Sequence, residues 1–182
     1  MQSHMDVGFL ILSPDRNIAG LKNTIGSINL LRHYNNKCVC VVGEDATTRD
    51  VKEMKELCPV FKGKDTITSL INTGMKKIKN EWACMLFGGT RIPKIVEKKL
   101  ETFCKLENEI IYPLIENKYN FIECCFNGVV INTKFFQKVG EFPEFTMQKF
   151  GMNDFEFAKM LWALDALKHG AIFKGVLGMR II

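Results

Sequence analysis

Histidine is scarce in this sequence, with three residues, and proline contributes only five. Its apolar residues never run together for the roughly 20 positions that a membrane-spanning helix needs. No basic segment followed by an apolar one opens the chain, so the pattern of a secretory signal is missing. No C-x-x-C pair occurs among the seven cysteines, Cys38, Cys40, Cys58, Cys84, Cys104, Cys124 and Cys125. Their odd number and their placement mostly inside apolar runs argue against a disulfide framework or a zinc site. Reduced, buried thiols in a cytoplasmic protein are expected instead. A catalytic cysteine would need a histidine partner, and apart from His4 only His33 and His169 exist. Low-complexity tracts are absent, and the basic residues are not interleaved with aromatics as nucleic-acid binding would want, so no nucleic-acid partner is expected.

What remains is an ordinary globular composition. The 182 residues are 47% apolar and 25% charged, enough for one domain with its own core. Met1-Gln2-Ser3-His4-Met5 reads as a cloning scar, which puts the native start near Met5. The net charge of +5 comes from lysines spread along helical faces, densest at Lys76-Lys77 and Lys98-Lys99. They read as a solvated face, or as a basic rim suited to a phosphate-bearing ligand or an anionic surface.

Apolar runs of strand length alternate with helical patterns through the first half. Val7 to Leu12 is a strand stopped by Ser13-Pro14-Asp15-Arg16-Asn17, and Ala19 to Leu31 has helical apolar spacing. Cys38 to Val42 is a second strand closing at Gly43-Glu44-Asp45. Thr47 or Thr48 caps a helix to Leu57, with Asp50 in its first turn. Pro59 to Phe61 is a short strand. Asp65 or Thr66 then caps a helix whose Ile67, Leu70, Ile71, Met75 and Ile78 form one stripe. Trp82 to Phe87 reads as a strand buried on both faces, ended by Gly88-Gly89 and followed by Thr90-Arg91-Ile92-Pro93. Ligands of open α/β sheets collect outside the carboxyl ends of such strands, so Gly88 and Gly89 mark either a ligand's approach or a plain strand-to-helix turn.

The second half is mixed. It comprises a helix from Pro93 to Phe103, a short strand Ile110 to Tyr112, and one or two strands between Phe121 and Ile131 broken at Asn127-Gly128. A helix Thr133 to Val139, a turn-rich connection from Gly140 to Phe145, a helix from Asn153 to Lys168 ended by Gly170, and a strand Ile172 to Val176 follow. Strands alternating with helices of this length predict an α/β fold, a three-layer α/β/α arrangement with a mostly parallel central sheet.

The order of these segments resembles GT-A fold nucleotide-sugar glycosyltransferases of the family-two type, whose fold is Rossmann-like. Leu10 to Arg16 is similar to their opening strand and its Pro-Thr-Tyr-Asn-Arg-like loop, and Val39 to Thr47 to their second strand and acidic loop. Asn72-Thr73-Gly74 stands where they carry Ala-Arg-Asn-x-Gly. Gly128 to Glu144 is similar to the segment that ends in their Val-Gly-Gly-Phe-Asp-Glu, and Asn153-Asp154-Phe155-Glu156-Phe157 takes the place of Glu-Asp-x-x-Leu. The likeness spans residues 6–182, with 6–93 as a nucleotide-binding half and 94–182 as an acceptor half.

The resemblance implies transfer of a sugar from a UDP- or GDP-linked donor to a hydroxyl acceptor with inversion. Donor binding would fall to Pro14, Asp15, Arg16, Glu44, Asp45, Asn72, Gly88, Gly89, Thr90 and Arg91, and Asp154 would be the general base. Asp154 reads equally as a helix cap beside Asn153, Glu44 and Asp45 as a solvated turn, and Arg91 as a solvated loop residue. The family's Asp-x-Asp motif is replaced by Phe87-Gly88-Gly89-Thr90, which lacks a carboxylate for a hard cation. Mn²⁺ or Mg²⁺ is therefore expected to bind weakly with the nucleotide or not at all. Arg91 and the backbone N–H groups of Gly88 and Gly89 would offset phosphate charge instead. Ile71 also replaces a customary arginine. The alternative is a catalytically inactive relative that binds a nucleotide, a glycan or a protein.

Overall fold

Every residue of Val7–Leu12 (β1) is buried, as expected of a strand covered on both faces. The computed structural model describes residues 6–31, 38–116, 122–124, 126–144 and 154–177. Met1 to Met5, His33, Phe121, Cys125, Phe145 and Asn153 lie outside them. The elements that follow β1 are α1 (Ile18–Asn29), β2 (Cys38–Gly43), α2 (Thr48–Lys55), β3 (Val60–Gly63), α3 (Ile67–Met75), β4 (Trp82–Phe87) and α4 (Ile95–Phe103). After them come β5 (Glu109–Glu116), β6 (Ile122–Cys124), β7 (Val130–Asn132), α5 (Thr133–Val139), α6 (Asp154–Lys168) and β8 (Ile172–Leu177).

Helix starts follow the capping chemistry. Thr47 and Asp50 form a reciprocal capping box on α2, and the Thr66 hydroxyl, not Asp65, accepts the N–H of Ser69 to cap α3. The α4 helix begins two residues later than Pro93 suggests. Lys94 gives it no side-chain cap, and i→i+3 bonds from Val96 to Pro93 and from Glu97 to Lys94 open it as a tighter turn.

The sheet runs β3-β2-β1-β4-β7-β5, and β1, β2, β3 and β4 are parallel. β7 is antiparallel to both β4 and β5, so β5 points the same way as β4. Ile110 pairs with Ile131 of β7 on one edge and with Phe173 of β8 on the other, which makes β8 the outer strand on this side. Leu114 pairs with both Cys124 and Leu177, so β6 shares the β7 edge. β5 is longer than the three residues expected. The strand continues past Tyr112 through Pro113, which cannot donate to a ladder but falls with Tyr112 between the stretches that pair with β7 and β6.

Alternation along the strands divides the core. Phe9, Ile11, Cys84 and Leu86 face α1, α2 and α4 through Leu21, Ile25, Ile28, Met54, Val96 and Leu100. Leu10, Leu12, Ala83 and Met85 face α3, α5 and α6 through Leu70, Ile71, Met75, Phe135 and Trp162. The chain is thus three layers, helices on both faces of a mixed sheet. Close approach explains Gly74: a Cβ there would lie 2.1 Å from Leu10 Cδ1, so the glycine lets α3 settle on β1. Of the described cysteines, Cys40, Cys58, Cys84 and Cys104 are buried, and burial pushes the Cys84 thiol up to about 12.

Glu109 ties β5 to its neighbours at 1% side-chain exposure. Burial pushes its carboxyl up, but the Lys174 ammonium and the N–H groups of Lys105 and Leu106 outweigh this and hold it below its ordinary value of 4.5. A depressed carboxylate contributes stability that is complete above the unfolded-state value and lost as pH falls through the folded one. The urea midpoint of the protein is therefore expected to fall more between pH 5 and pH 3 than that of Glu109→Gln. Equal losses would remove Glu109 as a source of acid sensitivity.

Candidate functional site

The register aligns the carboxyl ends of β2, β1 and β4, since Leu12 pairs with Val41 and with Phe87. Three loops therefore leave the same edge: residues 13–17, 44–47 and 88–94. Arg16 joins the first two, its guanidinium 3.0 Å from the Asp45 carboxylate and its backbone at φ +56°, a left-handed conformation uncommon for a side chain of this size. Asp15 accepts from the Ser13 hydroxyl and from the N–H of Asn17, each at 3.4 Å, which shapes the turn at exposed Pro14. Glu44 and Asp45 are exposed at the end of β2. An added Cβ on Gly43 would stand 2.0 Å from Asp65 Oδ1 and 3.0 Å from Asp45 Oδ1, so both carboxylates gather over that glycine. Thr66 takes the α3 cap for which Asp65 is the other candidate, and Asp65 is turned to this edge.

The loop after β4 is held from below by α1. Thr24 donates to the Gly20 carbonyl and accepts the N–H of Gly89 at 3.0 Å, while Ser27 accepts the N–H of Ile92 at 3.1 Å. Gly20 permits this closeness, because a Cβ there would be 3.0 Å from Gly89 N. Gly89, at φ +94°, makes the turn. The N–H groups of Gly88 and Gly89 are accordingly not directed at a ligand: Gly88 donates to Leu12 at 2.8 Å and Gly89 to Thr24. What the pair offers is a backbone surface without side chains. Thr90 is buried, and its hydroxyl accepts from the Asn127 amide at 3.0 Å, while Asn127 Oδ1 takes the N–H of Phe87 at 3.1 Å. Arg91 is exposed beside it. Asn127 was visible in the sequence only as half of an Asn-Gly strand break. Its link to Thr90, 37 residues away, has no local signal.

Two candidate residues lie apart from the three loops. Asn72 is buried, and its amide brackets one residue of the connection after α5, donating to the Phe142 carbonyl at 2.8 Å and accepting its N–H at 2.9 Å. Ion pairs Lys76–Glu141 (2.6 Å) and Lys64–Glu144 (3.1 Å) fix the same connection. Asn72 thus serves as an internal clamp, with its polar atoms committed away from solvent. Asp154 is exposed in the first turn of α6. Its neighbour Phe155 packs edge-on against Phe126 at 4.9 Å, and Phe126 adjoins Asn127, so a chain of contacts leads from the start of α6 to Thr90 and the end of β4.

The donor set at the end of β4 does not fit a hard cation. Phe87, Gly88 and Gly89 supply no side-chain oxygen, and the Thr90 hydroxyl is taken by Asn127. Among the described residues no three His, Cys, Asp or Glu side chains converge as a metal site, and no helix is long and apolar enough to cross a membrane. No protein-family model and no curated protein sequence matches the chain.

Proposed function

We propose that the chain is a GT-A-like glycosyltransferase that moves a sugar from a UDP- or GDP-linked donor to a hydroxyl acceptor without relying on a bound metal. The observation that carries this reading is the single edge on which Pro14–Arg16, Glu44–Asp45 and Gly88–Arg91 emerge from three adjacent parallel strands. Nucleotides bind at such edges in open α/β sheets. Asp15, Glu44 and Asp45 supply acceptors for base and ribose donors, the bare backbone at Gly88-Gly89 admits the diphosphate, and Arg91 offsets its charge. Asp154 removes the acceptor proton as the acceptor oxygen bonds to the sugar carbon and the bond to the nucleotide diphosphate breaks, which inverts that carbon. The absence of a carboxylate at residues 87–90 favours a second reading, a nucleotide- or glycan-binding relative without turnover.

Calorimetric titration with UDP and GDP, with Mn²⁺ and then with a chelator, separates these readings when it is followed by hydrolysis assays with the matching nucleotide-sugars. Binding that survives chelation, together with sugar release, is expected for the transferase. Binding without release selects the second reading. No binding of either nucleotide by folded protein in the presence of Mn²⁺ overturns the transferase and the nucleotide-binding relative, and leaves only the glycan-binding form of the second reading.

A further inference from the structure

Beside α6, a cleft of about 260 Å³, open to solvent along part of its rim, lies between the helix and the sheet. Its walls include Tyr112 and Phe173 from the sheet, Phe126 and Phe142 from the loops, and Trp162 and Lys159 from α6. An apolar cavity of about 150 Å³ already admits a benzene ring. This one is larger, and its lining is unusually aromatic.

The rings are fixed in arrangements that present both faces and edges. Phe142 stacks on Trp162 at 4.7 Å, while Phe126 meets Phe142 edge-on at 6.2 Å and Tyr112 tilts against Phe173 at 6.4 Å. Such a lining favours another aromatic ring over an aliphatic chain of equal area, because edge-to-face and offset contacts add to the burial. The indole N–H of Trp162 is engaged by the Gly140 carbonyl at 2.8 Å, so it makes no demand on a ligand. Among the described wall residues the charged one is Lys159, whose ammonium pairs with Glu156 at 2.6 Å and lies 5.7 Å from the centre of the Phe126 ring. A polar substituent on a bound ring would meet a cation there.

We propose that this cavity is a binding site for a small phenolic molecule of one or two rings, its ring among the aromatic walls and its oxygen toward Lys159. The site is independent of the nucleotide reading, because none of the three edge loops lines it.

The probe is 4-nitrophenol, whose absorption overlaps tryptophan emission, so that occupancy quenches Trp162. In the full chain without nucleotide, saturable quenching with a Kd of about 1 mM or tighter is expected. At roughly tenfold that concentration, Tm should rise by about 3–6 °C. Ala163, on the cavity wall and only half-buried, has room to carry a larger side chain. Ala163→Phe should abolish saturable quenching and the Tm rise, and Ala163→Leu should weaken both at least threefold; if the phenylalanine variant does not fold, the leucine variant decides. No saturable quenching in the unaltered protein, or quenching unchanged by the filling substitutions, overturns the proposal.

Discussion

Asn72→Ala is expected to destabilise the protein by about 2–5 kcal/mol, since the two hydrogen bonds to Phe142 disappear and leave a buried N–H and a buried carbonyl without partners. For a chain of this length that corresponds to a fall in Tm of roughly 5–15 °C. The loss is larger than for a typical hydrogen bond because the groups left behind belong to the backbone and cannot swing out to water. Phe142 also stacks on Trp162 and packs against Phe136, so loosening its backbone disturbs the core on the α6 face. Urea or thermal denaturation measures the effect. A change under about 1 kcal/mol would mean that water replaces the amide without cost. If Asn72 acts only as this clamp, nucleotide affinity well below Tm stays unchanged in the variant; a loss of affinity would return it to the donor site.

Asp154→Asn is expected to lower kcat for sugar transfer by about 10²–10⁴-fold while leaving donor affinity intact. An amide of the same shape cannot accept the acceptor's proton, but its exposed position in the first turn of α6 leaves the fold little affected. A substitution that acted only through the helix dipole would instead change stability by a few tenths of a kcal/mol and leave turnover alone. Unchanged turnover in the asparagine variant would remove Asp154 as the base.

The parallel half of the fold was legible because its signals are local. Val7–Leu12 and Trp82–Phe87 are apolar runs closed by turn residues, and both strands occupy those spans. Thr133–Val139 was equally plain. The sequence did not disclose the reversed β7, whose three residues carry no mark of direction, or the full length of β5, where Pro113 is accommodated by the pairing around it. The three edge loops could be found as strand terminators, but the contacts that shape them could not. Thr24 and Ser27 look like ordinary polar positions on α1, and only the fold brings them under Gly89 and Ile92, 65 residues on. Asn72 was singled out by motif position, while its hydrogen bonds to Phe142, 70 residues on, carry no local signal.

The reversed strand between β4 and β5 also bears on how the chain is made. On the ribosome, β4 and β5 emerge while the segment that must separate them, residues 130–132, is still unmade. During that interval both strands offer apolar edges running in the same direction, and joining them directly is the wrong sheet closest to hand. From the end of β5 at residue 116 to residue 132 the chain grows by 16 residues, about 1–3 s at ordinary synthesis rates. For that interval the two like-directed edges lie bare, whatever the stability of the finished sheet.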